Sequence, residues 1–423
     1  MAALPELVAA LQHTGAYTAA LFFFAAYPIV SSLVWITTSL FFVLRWERGE
    51  DEMPAHDGEW APAVTILIPA HNEQAVIARS LVAACNVDYP DYEIVVVNDG
   101  SSDHTVQRVL PFVQSGRVRL IDKRVNEGKA MALNDALPMV RGDIVLIIDA
   151  DAEPEPDILW RMVPHFRGAR VAAVTGNPRV RNVDTFLARL QAIEFTSIVS
   201  LLRRSQRIWG RIVTVSGVVA AFRKSALFAV DGFSPDMPTE DIDLTWKLQR
   251  RFFDIRYEPH AVVWMTVPTG FKALFRQRLR WARGLMQVLR RHSDVLRQWR
   301  YRRMWPMFIE SVLSILWAVV FIGMTTLWLL SWAAGVPPIG ASPFPNLWGM
   351  AIATLCVLQL ALGTLIDTRY DRGIWHYFPY AVFYPLIYWA FLAITTCLSL
   401  HHLFAKPSRL PVRWNTPRTG PEA

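Results

Sequence analysis

The sequence predicts an α/β domain with a largely parallel sheet, inserted between apolar segments that cross a membrane. Three observations carry this. Apolar residues crowd into the two ends of the 423-residue chain. The middle alternates short apolar runs with stretches of helical spacing. Polar and acidic residues directly follow three of those runs, and ligands of open parallel sheets bind at the carboxyl ends of strands.

Composition supports the membrane part. Hydrophobic residues make up 53% and charged residues 19%, against about 45–50% and about 25% in soluble domains. This excludes intrinsic disorder. The 17 tryptophans and 23 phenylalanines fit bilayer interfaces. Cys85, Cys356 and Cys397 are far apart, so neither a disulfide framework nor a structural zinc site is expected.

Between Glu6 and Arg45 there is no charged residue. A spanning helix needs about 20 apolar residues, so this stretch holds one long tilted span or two tight ones with a break near Pro28. It lacks a positive leading region and reads as an anchor, not a cleaved signal. Residues 1–46 are thus membrane and 47–62, polar with two prolines, a linker. In the domain at 63–266, Val64–Ile68, Ile94–Val97, Ile144–Ile148 and Val171–Thr175 are expected strands. Glu73–Asn86 and Thr105–Gln114 are expected helices between them.

Residues 267–304 are read as basic interfacial helices. From Val267 to Arg303 there are eleven lysines and arginines and one acid, Asp294. Tryptophans and leucines among the arginines favour a lipid surface over nucleic acid. Residues 305–405 return to the membrane, in Phe308–Ala333, Leu347–Ile366 and Tyr377–Phe404, the last with Pro379 and Pro385 near its start. Residues 406–423 form a basic tail. The positive-inside rule puts the middle domain in the cytoplasm and the uncharged loop Gly335–Asn346 outside. It leaves the last stretch as either a third span or a hairpin. Glu310 is either an interfacial residue at a helix start or the lining of a polar path.

The strand ends carry the chemistry. Val64–Pro69 leads into Ala70-His71-Asn72-Glu73, Ile94–Val97 into Asn98–Asp103, and Ile144–Ile148 into Asp149-Ala150-Asp151. Two carboxylates two positions apart can grip a hard divalent cation that also binds substrate phosphates. Capping of the next helix by Ser101 or Asp103 leaves Asp99 for a ligand. Gly128-Lys129 enters a helix, where a lysine and an N-terminus suit a diphosphate. Thr239-Glu240-Asp241 opens the helix Ile242–Arg251. It reads equally as an N-cap with acids in the first turn or as the site of a general base.

Together these segments resemble the family-2 glycosyltransferases of the GT-A nucleotide-sugar fold. The matching pieces are Pro69-x-x-Asn72-Glu73, Asn98-Asp99-Gly100-Ser101, Gly128-Lys129, Asp149-x-Asp151, Thr239-Glu240-Asp241 and Gln277-x-x-Arg280-Trp281, in the family's order. The last marks the processive, membrane-embedded polysaccharide synthases. Val174–Arg179, Val215–Arg223, Thr239–Leu248, Arg413-Trp414 and Pro417–Gly420 are similar to the bacterial poly-β-1,6-N-acetyl-D-glucosamine synthases. One departure is Ala282-Arg283-Gly284-Leu285 after Trp281, where those synthases more often have Gln-Gly-Gly after the alanine.

The resemblance implies an inverting hexosyltransferase in the bacterial inner membrane. Its donor is UDP-N-acetylglucosamine, its acceptor the growing exopolysaccharide of a biofilm, its cofactor Mg²⁺ or Mn²⁺, with a small membrane subunit as partner. It implies Asn72, Glu73 and Asp99 at the uridine and ribose, and Lys129 and Asp149 at the diphosphate. Asp151 would hold the metal, Asp241 act as base with Glu240 beside it, and Gln277, Arg280 and Trp281 form the acceptor and diphosphate rim. Gln191 and Glu194, on an expected interface helix Thr185–Arg204, are further contacts. Other processive synthases, of hyaluronan, chitin or glucan, are the alternative.

Overall fold

In a computed structural model, residues 3–47, 60–337, 339, 347–405 and 410–413 are described. Most of the expected linker, most of the loop 335–346 and most of the tail, with Trp414 and Pro417–Gly420, lie outside the described residues.

Eight strands form one sheet: β1 (Val64–Ala70), β2 (Tyr92–Asp99), β3 (Arg119–Lys123), β4 (Ile144–Ile148), β5 (Glu153–Pro154), β6 (Val171–Val180), β7 (Val219–Arg223) and β8 (Asp254–Met265). Their order is β3-β2-β1-β4-β7-β6-β8-β5. The first four of that order are parallel. β7 runs antiparallel to both β4 and β6, while β6 and β8 are parallel. The sheet is therefore mixed beyond β4.

The central strands β1 and β4 are apolar but for Thr65 because both faces are covered. Ile66, Ile68, Ile144, Leu146 and Ile148 pack to one side. Their neighbours Leu67, Val145 and Ile147 pack to the other. Side chains alternate across a strand, so a fully buried strand reads as an unbroken run. Burying each such aliphatic side chain stabilises the fold by about 1.5–3 kcal/mol.

The amino-terminal stretch is one continuous helix, Gly15–Phe42, that accommodates Pro28, after a separate short helix Ala3–Gln12. Among the described residues, three helices are long and apolar enough to cross a membrane: Gly15–Glu47, Trp299–Ala333 and Gly349–Asp367. The last apolar stretch is broken into a 3₁₀ turn Ile374–Val382, a π turn Tyr384–Tyr388 and the short helix Trp389–Ser399. Its prolines fall in the first two turns, where the ring removes a donor and crowds the preceding turn. Glu310, in the second turn of the helix Trp305–Ala333, accepts a long hydrogen bond from the Tyr27 hydroxyl of the first span, 3.4 Å away.

The spans are fastened to the domain by the segment 186–209. Thr38 and Ser39 of the first span bond to Ser205 and to the Leu201 carbonyl. Gly363 packs so close to Ser197 that a Cβ would lie 2.6 Å from its Cα. Below this contact, Arg204 forms ion pairs with Glu47 (2.7 Å) and Asp367 (2.8 Å), and Arg179 pairs with the other Asp367 oxygen. All four side chains are at most 1% exposed.

Candidate active site

Because β2, β1 and β4 are parallel neighbours, their carboxyl ends meet at one edge of the sheet. Ala70 stands opposite Asn98 in the register, so Asn72 and Glu73 emerge beside Asn98–Asp103. Asn72 turns through a positive φ of 57°, a conformation Asn tolerates better than most residues. Its Oδ1 accepts the Ser102 N–H at 2.8 Å. The Glu73 N–H donates to Thr105 Oγ1 at 2.7 Å, and Glu73 is buried. His104, not Ser101 or Asp103, holds the N-cap position of the next helix, while Asp103 accepts the N–H of its first residue, Thr105, at 2.9 Å.

Asp99 is not left free by that capping. It is fully buried, and its two oxygens accept the N–H groups of Glu127 (3.1 Å) and Gly128 (2.7 Å). The carboxylate braces the turn that delivers Lys129. Sequence reasoning could not anticipate this, since the loop after β3 reaches back across the strand order.

Lys129 begins the helix Lys129–Ala136 and points into the centre of the crevice. Its Nζ lies 2.6 Å from Asp149 Oδ1, 3.4 Å from Glu240 Oε1 and 3.0 Å from the Gly217 carbonyl. Burial alone would lower its pKa, but Asp149 and Glu240 overcome that and hold it above the usual lysine value. Asp149 is fixed in turn by its own N–H, bonded to the Val218 carbonyl just before β7. Asp151, two residues on, is buried.

Glu240 and Asp241 open the helix Glu240–Arg250. Asp241 Oδ1 accepts the Ile242 N–H at 2.9 Å, and a Cβ on Gly217 would lie 2.9 Å from Oδ2. Gly217 is thus small because the carboxylate occupies its space. Burial, reinforced by the negative Glu240, pushes the Asp241 pKa up to about 6 against the pull of Lys129 and Arg280. Thr239 holds the N-cap position but makes no side-chain cap bond, and its buried Oγ1 has no hydrogen-bond partner among the described residues. The backbone of Gly284 fills the space instead: a Cβ there would lie 2.0 Å from Thr239 Oγ1.

The long helix Phe271–Arg291 crosses at that point. Arg280 donates to the Pro238 carbonyl at 3.3 Å, which brings it to the Thr239–Asp241 turn. Trp281 faces the interface core with Tyr388 and Phe275. One side of its ring carries the Arg278 guanidinium, 4.1 Å from the centroid. Arg278 pairs with Glu194, which also accepts the Tyr388 hydroxyl at 2.9 Å. Arg278 was missed in the sequence, though its i,i+3 spacing from Trp281 was the available signal. Glu194 is thereby a joint between three helices. Gln191 likewise donates to the Pro268 carbonyl at 2.7 Å, but its Oε1, like that of Gln277, is buried without a hydrogen-bond partner among the described residues.

No group of three or more His, Cys, Asp or Glu side chains arranged to hold a metal occurs among the described residues. The Asp149-x-Asp151 pair at the end of β4 still fits a divalent cation, since such ions commonly use one or two carboxylates and take the rest from substrate phosphates and water.

An acid-edged crevice at the carboxyl ends of a parallel sheet, with a lysine aimed between carboxylates, defines a nucleotide-sugar transferase of the GT-A fold. Residues 62–284 match the family described as "Glycosyltransferase like family 2", and the chain belongs to that family. It is 30% identical over 405 residues to a poly-beta-1,6-N-acetyl-D-glucosamine synthase of Staphylococcus epidermidis, covering 94% of this chain and 98% of the relative. A synthase of the same name from Staphylococcus aureus is 31% identical over 407 residues, with the same coverage. A mannosyltransferase from Pyrobaculum calidifontis, solved with GDP-mannose and Mn²⁺, shares the fold with a TM-score of 0.58, 24% identity, and coverage of 86% of this chain and 99% of that one.

Proposed function

We propose that the protein transfers N-acetylglucosamine from UDP-N-acetylglucosamine to the growing end of a β-1,6-linked polysaccharide, at the cytoplasmic face of a bacterial inner membrane, and passes the product through its spans. The observation that carries the chemistry is the placement of Asp241: a half-buried carboxylate at a helix start, beside Glu240 and facing Lys129, with its pKa pushed up to about 6.

Asp241 is ionised at neutral pH and takes the proton from the attacking acceptor hydroxyl, help worth about 10²–10⁴-fold. One in-line displacement converts an α-linked donor into a β-linkage. Lys129 and Arg280 lie where negative charge builds on the leaving diphosphate. Asn72, Glu73 and Asp99 shape the nucleoside end, Asp99 by holding the 126–128 turn. Asp151, with Asp149, would hold Mg²⁺ or Mn²⁺, which when bound supplies Lewis-acid neutralisation of that charge. Trp281, its far side stiffened by Arg278, offers its ring to the terminal sugar, and Gln277 its unpartnered oxygen. Holding the acceptor at attack distance supplies the entropic share. The relatives' names support the sugar and linkage. The small membrane subunit belongs to the same reading, and full activity of the chain purified alone would remove it.

The test is membranes carrying the protein with labelled UDP-N-acetylglucosamine, with divalent metal or with a chelator. The expected result is metal-dependent polymer that a β-1,6-hexosaminidase digests. Polymer from UDP-glucose, or none from UDP-N-acetylglucosamine, would reassign the donor.

A further inference from the structure

Away from the crevice, the basic region lines a half-open cavity of about 190 Å³, with Arg211 buried at its base and the other arginines exposed at its rim. Arg170, Arg211, Arg300, Arg302 and Arg303 line it, with no carboxylate among the lining residues. Tyr301 forms part of the wall, its ring stacked on Phe252 at 5.8 Å. Five guanidiniums around one small space repel one another, and arginine stays charged in proteins. Arg211 shows the consequence. It is 6% exposed, its Nε is buried without a hydrogen-bond partner, and its one ion pair among the described residues is a long one, 3.4 Å to Asp254. Arg300, Arg302 and Arg303 pair with no carboxylate among the described residues; Arg300 and Arg302 lie against the rings of Tyr301 and Trp299 instead. A buried unpartnered donor within such a cluster calls for an anion.

Size and place narrow the anion. One water occupies about 30 Å³ of liquid, and pockets for whole small-molecule ligands run about 300–1,000 Å³. The cavity suits a phosphate group and is too small for a nucleotide sugar. Arg300, Arg302 and Arg303 sit in the turn Trp299–Met304, directly before the apolar helix Trp305–Ala333, where basic residues flanking a span meet anionic headgroups. The opposite wall belongs to the catalytic domain. Phe252 follows the helix Glu240–Arg250, whose other end bears Asp241, about 16 Å away at 1.5 Å per residue. Arg211 begins the segment that ends at Gly217, against Asp241.

We propose that this cavity is a phosphate-binding site distinct from the catalytic crevice, which takes the phosphoryl group of an anionic lipid headgroup or of a soluble phosphate ester. It does not depend on which sugar the enzyme transfers.

The test uses the full chain in phosphatidylcholine nanodiscs, with inorganic phosphate as the probe and thermal midpoint as readout. Phosphate is expected to raise the midpoint saturably. Arg303→Gln, at an exposed position that leaves the fold intact, should weaken apparent phosphate affinity at least tenfold, and Arg211→Gln more. Lys272→Gln/Arg276→Gln, which removes two exposed charges elsewhere on the basic region, should leave it unchanged. Repeating the titration with phosphatidylglycerol in the discs separates the sources. Loss of the phosphate response there identifies a lipid headgroup as occupant, and an unchanged response identifies a soluble ester. No saturable response in the wild type, or equal loss in Arg303→Gln and the Lys272/Arg276 control, overturns the proposal.

Discussion

Two clusters of charge, one at the junction between the domain and the apolar helices and one in the crevice, are built in opposite ways. At the junction, Glu47, Arg204, Asp367 and Arg179 are sealed from water and matched, two acids against two bases. In the crevice, Lys129 faces Asp149 and Glu240 with Asp241 close by, so acids outnumber the base, and Lys129 and Asp149 remain about one-sixth exposed. The junction is saturated and joins parts of the chain. The crevice carries surplus negative charge and a displaced pKa, the condition of a site awaiting a cationic or proton-bearing partner.

The largest expected effect separates the two directly. Asp241→Asn should cut turnover by about 10²–10⁴-fold while UDP affinity and thermal midpoint stay near wild type. Polymer synthesis at the wild-type rate would remove Asp241 as the base. At the junction the pattern should invert. Asp367→Ala leaves the buried Arg179 guanidinium without a carboxylate and Arg204 with Glu47 alone, which costs about 3–5 kcal/mol. The expected result is a lower melting midpoint and less protein in membranes, with turnover per folded molecule largely kept. An unchanged midpoint would mean that the junction contributes nothing to assembly.

These clusters also mark what a sequence can and cannot disclose. The crevice was legible because its residues follow strand runs locally, and parallel pairing then brings strand ends together. β1, β2 and β4 were legible because strands covered on both faces carry runs that are nearly all apolar. β3, with its half-exposed Arg-Leu-Ile-Asp-Lys, has no such run. β8 was hidden by its charged and aromatic residues and its shifted register against β6. The junction was invisible for a different reason: Glu47 and Arg204 are 157 positions apart, and Arg179 and Asp367 188. Nothing local in the sequence distinguishes a carboxylate destined for such a pair from one that ends a span.

A smaller effect follows from the displaced pKa. The native state holds the Asp241 proton more tightly than the unfolded chain between pH 3.8 and about 6. Through that window this group's contribution to stability falls as pH rises, while its competence as a base grows. Turnover should therefore climb about tenfold per unit below pH 6 and level off above it. Lys129→Met removes a positive neighbour and should move the limb to higher pH. A limb that stays in place would show that Lys129 does not reach Asp241 electrostatically.

The smallest expected effect tests how the helix Phe271–Arg291 positions Asp241. Gly284 of the helix Phe271–Arg291 lies against Thr239, so a methyl group there must displace either the helix or the Thr239–Asp241 turn. Such overpacking costs about 1–3 kcal/mol, and a turn displaced at the reacting atoms should lower kcat more than substrate affinity. Thr239 Oγ1 has no hydrogen bond to lose among the described residues, so Thr239→Ala vacates the space without orphaning a partner. Gly284→Ala is thus expected to reduce kcat about tenfold, and the Gly284→Ala/Thr239→Ala pair to recover most of it. Recovery would place the defect in the contact itself. A double variant as slow as Gly284→Ala would instead mean that the glycine is required for the helix's path past the crevice, whatever side chain it meets there.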